Sequence, residues 1–542
     1  MATPRRRARR VLLAAGVLVV ALAAGAPGAS ARPAAVPTLS WQECPSAPGF
    51  QCTTAKVPKD YANPGKGKIE LALTRLPATD RAHRIGSLFV NFGGPGGTAV
   101  DTIQAIGKEL FAPLNDRFDI VGFDPRGVGQ SKPSIDCRVN QETQGIYGQP
   151  FTTPENLDVN ALVHKDQTYI QRCLALNGGI LPYVSTANVA RDMDLLRAAV
   201  GDDKLSYLGF SYGTFLGATY ESMFPTHYRA LVLDGALDAD GYINRPNQNL
   251  QEQSAGFERA LGRFFEACAA HKDVCPFGGD DPHAAFDDLV ESLNAQPLPA
   301  TGTDPRPVDG DDALAGATLA TYAKQLWPVL AGALTQAAAG DGTGLRMLAD
   351  AFYGRLDNGT YDPISDRYFT IGALEQRYPS SVRFYLDAGR HAWAMFDHMW
   401  WNTGYSELPY GLYPVQPRGV FYGPFRANPN AATTLVVATR YDPATPYRGS
   451  KALVADLGNA RLLTMRGDGH TAYGGNSACI DATVDAYLKN LTVPAKGTVC
   501  QQEVPFAQPQ AAAARAASSR NVQRILRRID EHVTPAVAAL GG

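Results

Sequence analysis

Leu205-Ser206-Tyr207-Leu208-Gly209-Phe210-Ser211-Tyr212-Gly213-Thr214-Phe215-Leu216-Gly217-Ala218-Thr219-Tyr220 is the stretch on which the reading of the fold turns. Leu205 to Leu208 reads as a short central strand, and the residues from Thr214 onward favour a helix. Between them lies the pattern G-x-S-x-G. Its glycines let neighbouring backbone pass close by, while Ser211 is held in a strained strand-to-helix turn with its hydroxyl presented outward. In a chain with 53 glycines the bare pattern is weak, and its weight comes from the strand before it and the helix after it. The bland alternative is a serine in an ordinary tight turn.

Working outward, the same rhythm recurs. Phe118 to Phe123, Ala230 to Leu233 and Thr434 to Ala438 look like central strands, and Ser87 to Phe92 like a strand buried on both faces. Ile69 to Thr74 alternates, which predicts an antiparallel strand with one wet face. Helical stretches at Thr186 to Val200 and Thr214 to Met223 lie between them. Strand alternating with helix argues for an α/β protein whose mostly parallel sheet is covered on both faces.

A serine hydroxyl is a poor nucleophile at neutral pH and needs a base, plus an acid that fixes the base's tautomer. In the α/β-hydrolase fold the chain order is Ser, Asp or Glu, His. Of nine histidines, His470 lies in the glycine-rich loop Arg466-Gly467-Asp468-Gly469-His470-Thr471 and is the expected base, with His391 and His398 as distant competitors. Asp442 follows the strand ending at Ala438 and precedes His470 by 28 residues, so it is the expected acid, with Asp234 as the alternative. Asn91-Phe92-Gly93-Gly94-Pro95-Gly96-Gly97 follows a buried strand, and its Gly94 amide, with that of Tyr212, would face a developing oxyanion. A phosphate loop is disfavoured, because the Gly-Lys-Ser/Thr ending is missing.

The bulk properties bound the rest. With 542 residues and 45% hydrophobic content, the chain can bury a large core and is long enough for one big domain with a substantial insertion, or for two domains. The 50 basic and 52 acidic residues give a net charge of −2, which argues against a nucleic-acid partner. The one basic cluster, Arg5-Arg6-Arg7 with Arg9-Arg10, precedes an apolar run from Val11 to Ala24 and then Ala29-Ser30-Ala31, the pattern of a cleaved signal peptide. The run is shorter than a membrane-spanning helix needs, so no anchor is expected after processing. The twin-arginine and ordinary secretory routes both fit. Eight cysteines in an exported chain suggest disulfides. Proximity pairs Cys44 with Cys52, Cys137 with Cys173, Cys268 with Cys275 and Cys479 with Cys500, although sequence alone cannot fix the connectivity. No C-x-x-C pair or His/Cys cluster has zinc spacing, so the cysteines read as staples and no metal and no cofactor is expected.

These features divide the chain into a signal peptide (1–31), a flexible mature N-terminus or short pro-segment (32–40), a first core part (41–239), an inserted, mainly helical cap domain (240–425), a second core part (426–506) and a tail (507–542). The cap segment is aromatic-rich, with Trp327, Trp393, Trp400 and Trp401. A monomer is expected.

In these motifs the chain resembles the tripeptidyl aminopeptidase group of actinobacterial α/β-hydrolases, relatives of proline iminopeptidase with a TAP-like C-terminal region. The resemblance rests on Gly93 to Gly97, Asp124-Pro125-Arg126-Gly127-Val128-Gly129-Gln130-Ser131, Ala190 to Leu196, Gly209 to Gly213, Asp442 to Pro446 and Gly469-His470. It implies a secreted serine exopeptidase that frees short peptides, often tripeptides, from a free amino terminus through an acyl-enzyme. It also implies acidic cap residues that hold the substrate ammonium. Glu375, in Thr370-Ile371-Gly372-Ala373-Leu374-Glu375, matches the acid of the group's pattern, although Ala373 replaces its usual cysteine; an exposed carboxylate on a cap helix is the alternative for Glu375. A secreted carboxylesterase or other acyl hydrolase is the rival reading, since one triad serves esters and amides. A non-catalytic binding module is disfavoured because all three triad positions carry competent residues.

Overall fold

The computed structural model describes residues 34–146, 153–300 and 306–506. The expected signal peptide and C-terminal tail lie outside these residues. Ten strands form one sheet: β1 (Gln42–Cys44), β2 (Ala47–Pro58), β3 (Lys68–Leu76), β4 (Gly86–Asn91), β5 (Phe118–Phe123), β6 (Leu205–Phe210), β7 (Tyr228–Asp234), β8 (Thr434–Tyr441), β9 (Ala460–Asp468) and β10 (Val499–Gln501). Their order is β1-β2-β3-β5-β4-β6-β7-β8-β9-β10. The pairs β1/β2, β2/β3 and β3/β5 are antiparallel, and every pair from β5/β4 to β9/β10 is parallel.

The apolar strands are continuous runs because both faces are covered. Phe89, Tyr207 and Leu231 point into one core with Met193, Phe215 and Leu216 from the helices Thr186–Ala199 and Tyr212–Met223. Their neighbours Leu88, Val90, Leu208 and Val232 point the other way, onto Ile103, Ile106, Val484 and Leu488 from the helices Val100–Leu110 and Ala478–Asn490. The two-residue alternation of a strand thus serves two cores at once. β3 pairs antiparallel as expected, but its wet face is missing: Ala72 and Thr74 are buried. Thr74 accepts a hydrogen bond from Gln104 of the overlying helix and lies beside Cys44, so tertiary cover supplies what the alternation alone does not reveal.

Between β7 and β8 the chain runs through helices from Ala239–Asn244 to Leu408–Leu412, with no named strand among the described residues. A second helical excursion, centred on Val159–Asn177 between β5 and β6, joins the same layer. The two are fastened by buried Asp366, which accepts hydrogen bonds from Cys137 N (2.8 Å), Gln141 Nε2 (2.9 Å) and Tyr169 OH (2.8 Å). The four disulfides are those that proximity suggests, Cys44–Cys52, Cys137–Cys173, Cys268–Cys275 and Cys479–Cys500.

Two of the sequence motifs are structural. In the Asp124-to-Ser131 loop, Asp124 accepts from Ala99 N, Val100 N and Gln130 N and so ties the end of β5 to the start of the helix Val100–Leu110. Arg126 is fully buried and pairs with Asp192 through Nε (2.7 Å) and Nη2 (2.6 Å). Its remaining protons go to the carbonyls of Pro58, Lys59 and Tyr183. Such a fork-to-fork pair tolerates burial only because every donor is used.

Candidate active site

Parallel strands bring their carboxyl ends to one edge of the sheet, where crevices form. β4, β6, β7, β8 and β9 all end there, followed by the Gly93 loop, Ser211, Gly235, Asp442 and His470 in turn. Ser211 sits at φ 54°, ψ −126°, a conformation that side chains other than glycine's rarely adopt. The turn is held from all sides: Ser211 N donates to the Asp234 carbonyl (2.9 Å), Thr214 Oγ1 donates to the Ser211 carbonyl (2.6 Å), and Tyr207 OH donates to the Gly213 carbonyl (2.7 Å).

The glycine loop presses onto this turn. A Cβ on Gly93, which has φ +96°, would lie 2.7 Å from the Phe210 carbonyl oxygen and 2.9 Å from Ser211 Cβ. One on Gly96 would lie 2.6 Å from Cβ of Arg367, so the loop also docks against the helix Ile364–Glu375 of the insertion. The structure brings Gly94, Ser211 and Tyr212 together around a chamber of about 30 Å³. No hydrogen bond occupies the amides of Gly94 and Tyr212 among the described residues.

His470 Nδ1 lies 3.0 Å from both carboxylate oxygens of Asp442. Asp442 also accepts from Ala444 N (3.0 Å), Thr445 N (2.8 Å) and Thr445 Oγ1 (2.8 Å), and Thr445 Oγ1 is 3.2 Å from His470 Nδ1. With Nδ1 facing a carboxylate, His470 carries its proton there and presents Nε2 as an acceptor. Nε2 is buried and has no hydrogen-bond partner among the described residues. His470 lines the same cavity as Ser211, about 540 Å³ in volume and walled by Phe92, Ile106, Phe210, Tyr322 and Tyr473. No hydrogen bond joins Ser211 Oγ to Nε2 here; such contacts commonly tighten only when substrate is bound.

The alternative acid, Asp234, does not meet His470 through a hydrogen bond. It accepts from Ala472 N (3.0 Å) and Tyr473 N (2.8 Å), and so anchors the loop just beyond the histidine. Burial pushes its carboxyl up to about 7. His391 is exposed, and His398 is engaged by Glu258 and Asp287 in the insertion, so neither competes with His470.

Glu375 is not brought to the cleft. It is 1% exposed, its Oε2 accepts from Thr186 N (2.9 Å), Tyr242 OH donates to Oε1 (3.3 Å), and burial pushes its carboxyl up to about 7. Being the last residue of its helix, it turns toward the core, and its neighbour Gln376 lines the chamber instead. The expected alternative, an exposed carboxylate, is not found either.

Three contributors escaped the sequence reading. Thr445, three residues after Asp442, completes its hydrogen bonding; a hydroxyl after a candidate acid was the available signal. Tyr322, from the insertion, accepts His470 N at its carbonyl (2.6 Å) and sets its ring edge-on to the imidazole at 5.6 Å, with no local signal at all. Glu407 is fully buried; its Oε2 accepts from Gly404 N (2.8 Å) and Asn247 Nδ2 (2.5 Å), the hydroxyl of Tyr378, which lines the chamber, is hydrogen-bonded to its carboxyl, and burial pushes it up to about 7.

Residues 418–500, which carry Asp442 and His470, match the family described as TAP-like protein. Over 518 residues the chain is 33% identical to serine protease Hip1 of Mycobacterium tuberculosis, spanning 91% of this chain and 98% of that one. It is 34% identical over 528 residues to carboxylesterase B of the same organism (92% and 98%). It is 30% identical over 503 residues to tripeptidyl aminopeptidase of Streptomyces lividans (90% of each chain).

Proposed function

The chain belongs to the TAP-like family of α/β-hydrolases, a family of serine hydrolases that includes these relatives, and from that premise we propose that it is an exported exopeptidase releasing short peptides, tripeptides among them, from free N-termini. One observation carries the reading: Ser211, in its forced turn, lines both the cavity that His470 also lines and the small adjoining chamber lined by Gly94 and Tyr212, whose amides carry no hydrogen bond among the described residues.

In this mechanism His470 Nε2 takes the Ser211 proton as Oγ attacks the scissile carbonyl, and Asp442 stabilises the imidazolium. The carbonyl oxygen, now negative, is received by the Gly94 and Tyr212 amides, which are already oriented and need not reorganise. Collapse expels the amine with the histidine's proton and leaves an acyl-enzyme, which water cleaves by the same steps in reverse. A cavity of about 540 Å³ suits a substrate of a few residues. The substrate ammonium calls for a carboxylate, and Glu375, whose oxygens are both used in the core, is poorly placed to supply it. Four disulfides support an oxidising, extracellular destination.

The test is a chromogenic tripeptide amide, its N-acetylated twin and a p-nitrophenyl ester, assayed with the mature protein and with Ser211→Ala. Cleavage of the free-amine peptide alone supports the aminopeptidase. Equal cleavage of the acetylated twin, or activity confined to the ester, favours the second reading, an esterase, for which the carboxylesterase relative speaks.

A further inference from the structure

Far along the chain from the triad, in the helical insertion, His283, Asp287 and His398 offer ligand atoms that all lie within 4.8 Å of one another. His283 and Asp287 are one turn apart on the helix Pro282–Ala295, so both project from the same face. His398 arrives from the segment just before Trp400, and its Nε2 lies 2.9 Å from Asp287 Oδ1. Its other nitrogen, Nδ1, faces Glu258 Oε1 at 2.7 Å, while Glu258 Oε2 accepts from the backbone N of His398 (3.1 Å) and Met399 (3.0 Å). The imidazole is therefore locked in orientation, with Nε2 aimed at Asp287 and His283. His283 stacks on Phe265 with ring centroids 5.3 Å apart and has no hydrogen-bond partner among the described residues. Phe265 and Phe286 wall the group on its inner side.

We propose that His283, Asp287 and His398 form a binding site for a divalent transition-metal ion of the zinc class, with Glu258 as the outer carboxylate that orients His398. Two imidazoles and a carboxylate are a ligand set for zinc and its neighbours and not for calcium or magnesium, which take oxygen ligands. A carboxylate on the far nitrogen of a ligating histidine fixes its tautomer and raises its basicity. Ligand atoms about 3.3 Å apart suit a tetrahedral ion, so rotation of the exposed His283 and Asp287 side chains closes the site, and water fills the fourth position. The site would tie the helix Pro282–Ala295 to the segment leading into Trp400. The sequence spacing hides it, because the two histidines stand 115 positions apart.

The mature full-length protein, stripped with a chelator and desalted, is titrated with zinc and, separately, with cobalt(II), whose visible ligand-field band distinguishes four-coordinate from six-coordinate binding. The expected result is one tightly held ion per chain, an intense four-coordinate cobalt band displaced by zinc, and a higher melting temperature with zinc. His283→Ala and Asp287→Asn each weaken binding and abolish the band, and Glu258→Gln weakens it about ten- to a hundredfold. Labelling of Ser211 by a fluorophosphonate, undiminished in the variants, reports that they are folded. An octahedral cobalt spectrum, or binding that His283→Ala leaves unchanged in affinity, overturns the proposal and leaves His398 as an ion-paired histidine between two acids.

Discussion

Replacing Asp442 with asparagine is the sharpest probe of the site. Asp442 Oδ1 accepts from Ala444 N and Thr445 N, so the side-chain oxygen of an asparagine is held at that position. The amide NH2 then falls at the place of Oδ2, 3.0 Å from His470 Nδ1, and donates where the carboxylate accepts. The oxygen kept at the Oδ1 position is also 3.0 Å from Nδ1, but the facing NH2 favours the tautomer with the proton on Nε2, in which the base faces Ser211 already protonated. Loss of the correct tautomer and of the imidazolium's counter-charge lowers kcat by about ten-thousandfold, or about 5 kcal/mol of transition-state stabilisation, with KM little changed. The matched control is Asp234→Asn. Its Oδ2 serves both Ala472 N and Tyr473 N, which an amide oxygen can replace, and the native carboxyl is held up to about 7 by burial, so a neutral group is tolerated there. Its kcat falls no more than about tenfold. Both are assayed on the tripeptide amide or, if that is not cleaved, on the ester. Asp442→Asn within tenfold of wild type, or Asp234→Asn the more damaging of the two, refutes the assignment of the acid.

Other expected outcomes follow from the same geometry. Gly93→Ala places a methyl 2.9 Å from Ser211 Cβ at φ +96°, and the displaced turn lowers kcat by about a hundredfold or more; fluorophosphonate labelling at wild-type rate counts against this. Arg126→Met strands buried Asp192 without its cation and costs about 3–5 kcal/mol in urea unfolding, so a loss under about 1 kcal/mol removes the pair from the account of stability. Glu221 is fully buried and its carboxyl is pushed from 4.5 up to about 8, so between those values the folded state holds a proton the unfolded state has lost, and stability falls as pH rises through about 8. Glu221→Gln, neutral at every pH and still able to accept from Thr434, is therefore more stable than wild type by up to a few kcal/mol at about pH 9, with the gap closing toward about pH 5. Parallel pH profiles for the two proteins in denaturant titrations contradict that sign.

What was legible in the sequence is what short stretches decide. The apolar strand, the Gly209-to-Gly213 turn and the helix after it adjoin one another, so backbone sterics and local periodicity suffice to locate Ser211. The central strands β4 to β8 were readable because burial on both faces makes them continuous apolar runs, and the disulfides because each joins cysteines close in sequence. β2, with Pro48 and Pro58, and β9, broken by Arg461 and Arg466, lack that signature and are strands because their neighbours in the sheet make them so.

Tertiary structure alone decided the rest. It set Asp442 against His470 and Asp234 against the loop beyond it, two acids at equivalent strand ends with different work, because only sheet order determines which end faces the imidazole. It turned Glu375 into the core, since helical spacing places a residue on a face but does not say what covers that face. It brought Tyr322 from the insertion onto His470, and Asp366 onto two excursions more than 200 residues apart. Sequence carries the preferences of neighbours along the chain; which distant groups meet is decided by how the covered sheet and its helical insertions bury their apolar faces together.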